Sequence, residues 1–335
     1  MITNALAAPP QEAIVRSQEL EVTARIPRVS VLMAVLNTAR FLPEALKSIV
    51  DQTFSDFEFI VVDDGSSDGS TQLLRSFAAS ESRVKLITRG NLGLVATRNE
   101  LLHTAKGELI AWMDSDDISL PDRLALQVAT FDDDDALVCL GGNAQCIDPD
   151  GNMLNLEHYP LSHEEILVAQ RQGSGMRFPT TMMRRSSVLQ VGGFREPFRM
   201  CEDFDLLLRL GEIGKMNNLA STLYLYRQHL SSVCASLGPN WAAYRDRALA
   251  LAHERAENKL DTLQRGESFS IEITKTRSTA LQISQTYTHW AHCALGNGNL
   301  RVAWKYASAA LTAQPLAPYA WRTIARIAMN WMRTA

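Results

Sequence analysis

From Val29 onward the chain alternates short apolar runs with longer stretches whose apolar residues fall at helical spacing. The run Val29-Ser30-Val31-Leu32-Met33-Ala34-Val35-Leu36 is rich in β-branched side chains and bounded by polar residues. That pattern suits a strand covered on both faces. Over 40–52, Leu42, Leu46, Ile49 and Val50 recur at helical spacing with Pro43 in the first turn, which predicts a helix. A second strand, Phe57–Val62, stops at Asp63-Asp64-Gly65-Ser66-Ser67-Asp68-Gly69. The Gly and Ser residues there make a turn, and Ser67 or Asp68 is placed to cap a helix over 70–80. A strand over 83–88, a helix over 94–105 and a strand over 108–113 follow. Strands alternating with helices of about twelve residues make βαβ units and a parallel sheet.

The fourth strand runs into Asp114-Ser115-Asp116-Asp117, and a helix opens at Pro121. The pattern then predicts a strand near 137–142, a turn at Asp150-Gly151 and a short helix capped by Ser162 and Glu165. Beyond Phe178 it predicts a strand over 179–184, a short helix ending at Gly192-Gly193, a helix from about Glu202 and a last strand over Leu223–Arg227. From Asn240 the sequence turns to Ala, Leu, Arg and Trp at helical spacing, the mark of an all-helical layer of about four helices. Residues 1–27 read as a mobile leader that ends at Pro27.

Composition narrows the function classes. The chain has 335 residues, 46% of them hydrophobic and 21% charged, as in soluble globular proteins. A net charge of −4 argues against a nucleic-acid partner read over a broad basic face. Cys139, Cys146, Cys201, Cys234 and Cys293 are scattered and never spaced as CxxC, which argues against a zinc site or a disulfide framework and for a reducing compartment. No secretion signal or transmembrane run is visible, so a cytoplasmic protein is expected.

The candidate chemistry lies at the ends of strands. In an open parallel sheet ligands bind at the carboxyl ends of the strands, where both Asp63-Asp64 and Asp114–Asp117 fall. Two acidic clusters on one rim hold a diphosphate only if a divalent cation sits between them, and hard carboxylate oxygens suit Mg²⁺ or Mn²⁺. In an extended segment the Asp114 and Asp116 side chains point the same way. Taken singly, the first cluster also fits a plain polar turn and the second a helix cap.

Several segments together resemble family 2 glycosyltransferases. They are Val61-Val62-Asp63-Asp64-Gly65-Ser66-Ser67-Asp68-Gly69, Asn91-Leu92-Gly93-Leu94-Val95-Ala96-Thr97-Arg98-Asn99, Gly107–Asp117, Phe178-Pro179-Thr180, Val191-Gly192-Gly193-Phe194, Cys201-Glu202-Asp203-Phe204-Asp205 and Tyr226-Arg227-Gln228-His229. They occur in order over roughly 29–232. The resemblance implies an α/β GT-A fold, a mostly parallel sheet flanked by helices and followed by a helical C-terminal region. It implies a catalytic unit over 28–235, with a nucleotide-sugar-binding half (28–118) and an acceptor-binding half (119–235), and a helical region over 236–335. It implies transfer of a sugar from a nucleotide-diphospho-sugar to an acceptor hydroxyl with inversion, in synthesis of a bacterial surface polysaccharide or lipopolysaccharide. On the same resemblance, Asp64 receives the nucleotide base in a pocket lined by Val35 and Asn37, and Arg98, Ser115 and Glu202 serve the donor side. Asp114 lies near the ribose, Asp116 ligates the Mn²⁺ or Mg²⁺ that bridges the phosphates, and His229 approaches that metal. Asp203 is the general base that deprotonates a carbohydrate or lipid-linked acceptor. Relatives often read Pro-x-Tyr-Asn where this chain has Ala34-Val35-Leu36-Asn37, which removes a stacking ring and leaves the base open, a UDP-sugar first and GDP- or dTDP-sugars next.

Other classes fit less well. A nucleotidylyltransferase wants a glycine-rich basic loop after the first strand, where Asn37-Thr38-Ala39-Arg40 stands, and GxxxxGK[ST] is absent. A receiver domain leaves the second half of the chain without a purpose. The non-enzymatic alternative is a GT-A-like scaffold acting through its helical tail. In that tail Tyr287, Ala291, Ala303, Ala310 and Pro315 resemble one tetratricopeptide-like hairpin. The last helix, about 317–333, gathers Arg322, Arg326 and Arg333 on one side, with Trp321, Ile324, Ile327, Ala328 and Trp331 covering much of the other. This suits peripheral contact with the inner membrane, and suits equally a helix packed on its neighbours with a solvated arginine face.

Overall fold

The computed structural model describes residues 25–173, 175–272 and 279–334, with side chains throughout except at 233–239 and 333–334. The expected leader therefore lies outside the described residues as far as residue 24, as do the side chains of Cys234 and Arg333. In chain order the elements are β1 (Val29–Val35), α1 (Leu42–Val50), β2 (Phe57–Asp63), α2 (Ser70–Ser80), β3 (Val84–Thr88), α3 (Leu94–Thr104), β4 (Leu109–Asp114) and β5 (Ile118–Ser119). Next come α4 (Arg123–Asp133), β6 (Leu137–Ile147), β7 (Met153–Glu157), α5 (His163–Gln170), β8 (Met182–Arg184), α6 (Arg185–Gln190), α7 (Glu202–Gly211) and β9 (Lys215–Arg227). Among the described residues four helices follow: α8 (Val233–Asn258), α9 (Ala280–Gly296), α10 (Leu300–Ala313) and α11 (Pro318–Thr334).

Among the described residues the nine strands form one sheet in the order β3-β2-β1-β4-β8-β6-β9-β5, with β7 paired on β6. The sheet is parallel through β3, β2, β1 and β4, and mixed beyond, where β8 runs antiparallel to β4 and β6. Strand β1 explains its own apolar run. Val29, Val31, Met33 and Val35 join the core under α1, while Leu32 joins the opposite core with Ile60, Leu101 and Leu102. A central strand buried on both faces needs apolar side chains at both parities.

The expected cap of α2 takes a modified form. Gly69 occupies the cap position at φ 101°, and the Asp68 carboxylate behind it accepts from the Ser70 amide at 3.0 Å. Ser162 and Glu165 form the expected capping box of α5. The strand expected over 179–184 begins instead as a turn of 3₁₀ helix, Phe178–Thr180, becomes extended at Thr181 and joins the sheet only at Met182. Pro179 brings no amide to a ladder, and the Thr180 and Thr181 amides close back on Arg177 and Phe178. The strand expected over Leu223–Arg227 is the end of β9, which starts eight residues earlier.

The helices after β9 fall into two packing groups. Helix α8 lies against α7, where Phe204 and Leu208 meet Tyr244, Ala248 and Leu251 around Phe198. Helices α9, α10 and α11 pack together through Trp290, Tyr306 and Ile327 and cover Cys146 and Leu154 of β6 and β7. The Asn297 side-chain amide donates to the Leu154 carbonyl there. Among the described residues no helix is long and apolar enough to cross a membrane.

Candidate active site

Strands β1, β2 and β4 are in register, so their carboxyl ends stand side by side: Val35 lies opposite Asp63, and Ala34 opposite Asp114. A cleft of about 480 Å³ opens along these ends and is closed from the other side by the residues before and in α7. Eight of the ten residues singled out from the sequence line it: Val35, Asp64, Arg98, Asp114, Ser115, Asp116, Glu202 and Asp203. The other two adjoin it: Asn37 is exposed on the loop after β1, and His229 is buried beside Asp116.

The rim at β1 and β2 is held by its own polar groups. Asn37, at φ 55°, accepts from the Ser67 amide at 2.8 Å, and its own amide donates to Ser66 Oγ at 3.0 Å. Asp63 is buried and accepts from the Ser66 amide at 3.0 Å, so the first aspartate of the pair is a pin for the turn. Gly65 must be glycine: its φ is +85°, and a Cβ would lie 2.8 Å from the Asn91 nitrogen. Asp64, the second aspartate, faces the cleft but is already engaged. Its two oxygens accept from the Leu92 amide at 2.9 Å and the Gly93 amide at 3.0 Å, and Arg89 pairs with it. Asp64 thereby fixes the 89–93 loop as the floor of this end of the cleft.

The acidic cluster after β4 is distributed by a turn. The chain leaves extended geometry at Ser115, so the alternation expected for Asp114 and Asp116 does not operate. Both still line the cleft, while Asp117 turns inward and is buried. Asp117 accepts from the Arg227 amide at 2.7 Å, and the buried Tyr224 hydroxyl accepts from the Asp114 amide at 3.1 Å. Burial, then Asp116 and Asp114 beside it, pushes the Asp117 carboxyl well above the usual carboxylate range. Ser115 is buried and accepts from the Thr38 hydroxyl at 3.0 Å, joining the β1 loop to the β4 loop.

Asp116 carries an imidazole partner. His229 Nε2 lies 2.9 Å from Asp116 Oδ2, and His229 Nδ1 lies 2.8 Å from Ser231 Oγ. The ring rests on Phe41 with centroids 4.9 Å apart. Arg227 braces the same turn, donating to the Asp116 carbonyl at 2.8 Å and pairing with Glu44 at 2.6 Å. Among the described residues no three of His, Cys, Asp and Glu converge into a metal cage.

The opposite wall comes from the start of α7. Cys201 enters the helix at φ 57°, and three acidic residues fill the first turn, where the helix dipole favours them. They have separate tasks. Asp205 is buried between Arg195 and Arg209, Glu202 is buried against Arg98 at 2.6 Å, and Asp203 is left lining the cleft, its carboxylate accepting from the Phe204 amide at 2.7 Å. Arg98 also lies over the Phe178 ring at 4.6 Å and within 3.9 Å of Asp114. Burial raises Glu202 to about 7 and Asp114 to about 6, each lowered in part by Arg98 and raised further by Asp203. Two carboxyls near neutrality, a buried guanidinium and a cleft-facing carboxylate make a site able to stabilise phosphate charge and to exchange a proton.

Sequence reasoning left out Arg177, Arg199, Tyr226 and Trp241, which also line the cleft. Arg177 lies over the Tyr226 ring at 4.5 Å and pairs with Glu157 of β7, a strand the pattern did not predict. Trp241 comes from α8, beyond the segments that carried the resemblance. Arg177 precedes Phe178-Pro179-Thr180 directly and Tyr226 opens the Tyr226–His229 segment, so proximity to those motifs was the available signal for both.

Comparison with known proteins agrees with this architecture. The family model described as Glycosyl transferase family 2 matches residues 30–193. EpsE of Bacillus subtilis (strain 168), provisionally named a glycosyltransferase, is 35% identical over 207 residues, which cover 60% of this chain and 73% of EpsE. The chondroitin synthase of Pasteurella multocida (strain Pm70) is 28% identical over 202 residues, covering 60% of this chain but only 20% of that much longer protein. Among solved structures, S. aureus TarS 1–349 in complex with UDP-GlcNAc aligns with a TM-score of 0.52 at 19% identity, over 84% of this chain and 83% of that one. With the ordered strand ends, the clefted sheet and the extent of the match to EpsE, the chain belongs to the family 2 glycosyltransferases.

Proposed function

We propose that the cleft binds a nucleotide-diphospho-sugar, a UDP-sugar before a GDP- or dTDP-sugar, and passes its hexosyl group with inversion to a hydroxyl of a carbohydrate or lipid-linked acceptor. The observation that carries this is the convergence of Asp114, Asp116, Asp203 and the Arg98–Glu202 pair on one cleft at the carboxyl ends of parallel strands. In this reading Val35 and the Asp64-fixed loop receive the base, with Asn37 and Ser115 holding the rim. Asp114 serves the ribose. Arg98, Arg177 and Arg199 offset the phosphate charge on a wall otherwise rich in carboxylates. TarS, whose structure holds UDP-GlcNAc, supports UDP as the first donor to try.

Asp116 and His229 offer one carboxylate oxygen and one imidazole nitrogen close together. That set fits Mn²⁺ or Mg²⁺, which commonly take one or two protein ligands and complete their shell with phosphate oxygens and water. The ion would stabilise the negative charge that builds on the leaving diphosphate. Asp203 takes the proton of the acceptor hydroxyl, which is a poor nucleophile until a carboxylate within hydrogen-bond reach does so. Glu202 holds Arg98 in place. Attack from the face opposite the diphosphate inverts the anomeric centre.

The functional division follows the same lines: a catalytic unit over 28–235 with donor (28–118) and acceptor (119–235) halves, and a helical region over 236–335. Chondroitin and hyaluronan synthases among the relatives support a role in bacterial surface polysaccharide or lipopolysaccharide synthesis. The cysteines whose side chains are described are free, which supports a cytoplasmic setting. The test is nucleotide release from UDP-, GDP-, dTDP- and CMP-sugars with Mn²⁺, Mg²⁺ or EDTA. Metal-dependent release from one donor, lost in Asp116→Ala, is the expected outcome. No release from any donor, together with no metal-assisted binding of any nucleoside diphosphate, would replace this reading with the scaffold alternative.

A further inference from the structure

Helix α11 buries one face and leaves an apolar one in water. Ala320, Thr323 and Ile327 are buried on the α9–α10 side. On the outer side Trp321 is 56% exposed, Met329 51% and Met332 74%. At about 100° per residue, Trp321, Ala325, Met329 and Met332 share one narrow arc, and Arg322 and Arg326 adjoin its edge. The side chains that pack α11 onto its neighbours are thus different from those that make this stripe, so intramolecular packing does not account for the exposed apolar arc.

Charge singles out the same region. From Thr279 to the end of the chain there is no Asp or Glu, while Arg301, Lys305, Arg322, Arg326 and Arg333 are basic, in a protein whose net charge is −4. Lys305 is taken up by Asp148 and Asp150 at the sheet junction. The arginines of α11 have no acidic neighbour on their own helix to neutralise them. An exposed stripe of Trp and Met bordered by arginines, on a helix unable to span a bilayer, combines the two terms that hold a helix in a lipid interface: buried apolar area and attraction to anionic headgroups.

We propose that α11 docks the protein on an anionic phospholipid bilayer, with Trp321, Met329 and Met332 entering the headgroup boundary and Arg322 and Arg326 meeting lipid phosphates. This stands apart from the donor and acceptor assignments, since none of these residues lines the cleft.

The experiment is co-sedimentation of the full chain with vesicles of phosphatidylcholine alone and of phosphatidylcholine with about 30% phosphatidylglycerol, at low salt and at about 1 M salt, where screening shortens to about 3 Å. Partition into the anionic vesicles only, weakened by salt, is expected. Arg322→Gln/Arg326→Gln should lower that partition by about thirtyfold, on roughly 1 kcal/mol per arginine near the surface. Met329→Ser/Met332→Ser should lower it too, with thermal melting and nucleotide release unchanged in both variants. Equal binding to both vesicles, binding to neither, or full binding by both double variants would overturn the proposal. A concentration-dependent dimer lost in Met329→Ser/Met332→Ser would overturn it as well, assigning the face to a second copy of the chain.

Discussion

Replacing Arg98 by methionine takes a buried cation off the Phe178 ring and away from Glu202 while leaving an unbranched apolar side chain in its place. The guanidinium lies 2.6 Å from Glu202 and 3.9 Å from Asp114, and the Arg98 and Glu202 side chains are only 8% and 6% exposed. At an effective dielectric of about 20, unit charges about 4 Å apart interact by about 4 kcal/mol. Removing one member of a buried pair costs a comparable 3–5 kcal/mol or so, because the other charge is left uncompensated. The loss should depend on pH. With Arg98 present, burial already holds Glu202 at about 7 and Asp114 at about 6, above the ordinary carboxylate values. The folded state therefore binds these protons more tightly than the unfolded chain, and the cluster's contribution to stability falls as pH rises from about 4 to about 7. Without the guanidinium both carboxyls move higher still, so the falling window steepens and extends upward. Near pH 5 both groups are protonated in the folded variant, and the remaining loss is the cation–π contact and packing, about 1 kcal/mol. Near pH 8 it should reach about 3–5 kcal/mol. Urea unfolding at both pH values, with an unchanged m-value, reads the difference. Arg98→Met/Glu202→Leu should recover most of the loss at the higher pH, since an apolar pair of similar volume is close to neutral. A cost independent of pH, with a double variant no more stable than the single one, would refute the reasoning.

Asp203→Asn should leave nucleoside diphosphate binding intact while transfer falls by about 10²–10⁴-fold. Calorimetry and product formation separate the two, and transfer at the unmodified rate would remove Asp203 as the base. Tyr306→Phe tests the seam between tail and sheet, where the hydroxyl donates to buried Asp148 at 2.7 Å. Burial disfavours the Asp148 charge, but Lys305, Tyr306 and Asn152 outweigh it and hold the carboxyl at about 2. Its stabilisation is present above the ordinary value and is lost as pH falls toward 2. The variant should lose about 1–3 kcal/mol and begin to unfold at a higher pH on acid titration followed by tryptophan fluorescence; unaltered stability would show that the hydroxyl contributes nothing there.

The sequence by itself determined the first half of the sheet. Strands β1, β2 and β4 are covered on both faces, so their burial appears as apolar runs broken only where Ser30 of β1 donates to Glu58 of β2, and the cleft residues Asp64 and Asp114 stand where the runs end. It also determined which carboxylates to examine, because Asp64, Asp114, Asp116 and Asp203 lie in segments with an ordered family resemblance. Three strands escaped the pattern wholly or in part, for physical reasons: β5 is only two residues long, too short for any alternation to show. Edge strand β7 is only partly covered, and the first part of β9 carries Asn218, a buried amide made tolerable by donation to the Pro160 and Gly175 carbonyls. Tertiary structure alone decided how neighbouring carboxylates divide their work. Asp63 pins a turn while Asp64 holds a loop, and Asp117 turns into the core while Asp116 meets His229. Glu202 pairs with an arginine 104 residues away, and Asp148 meets a tyrosine 158 residues away. Periodicity records whether a position is buried, since burial repeats with the geometry of the local element. Which charge answers another across the fold depends on contacts between distant segments, and those exist only once the chain has folded.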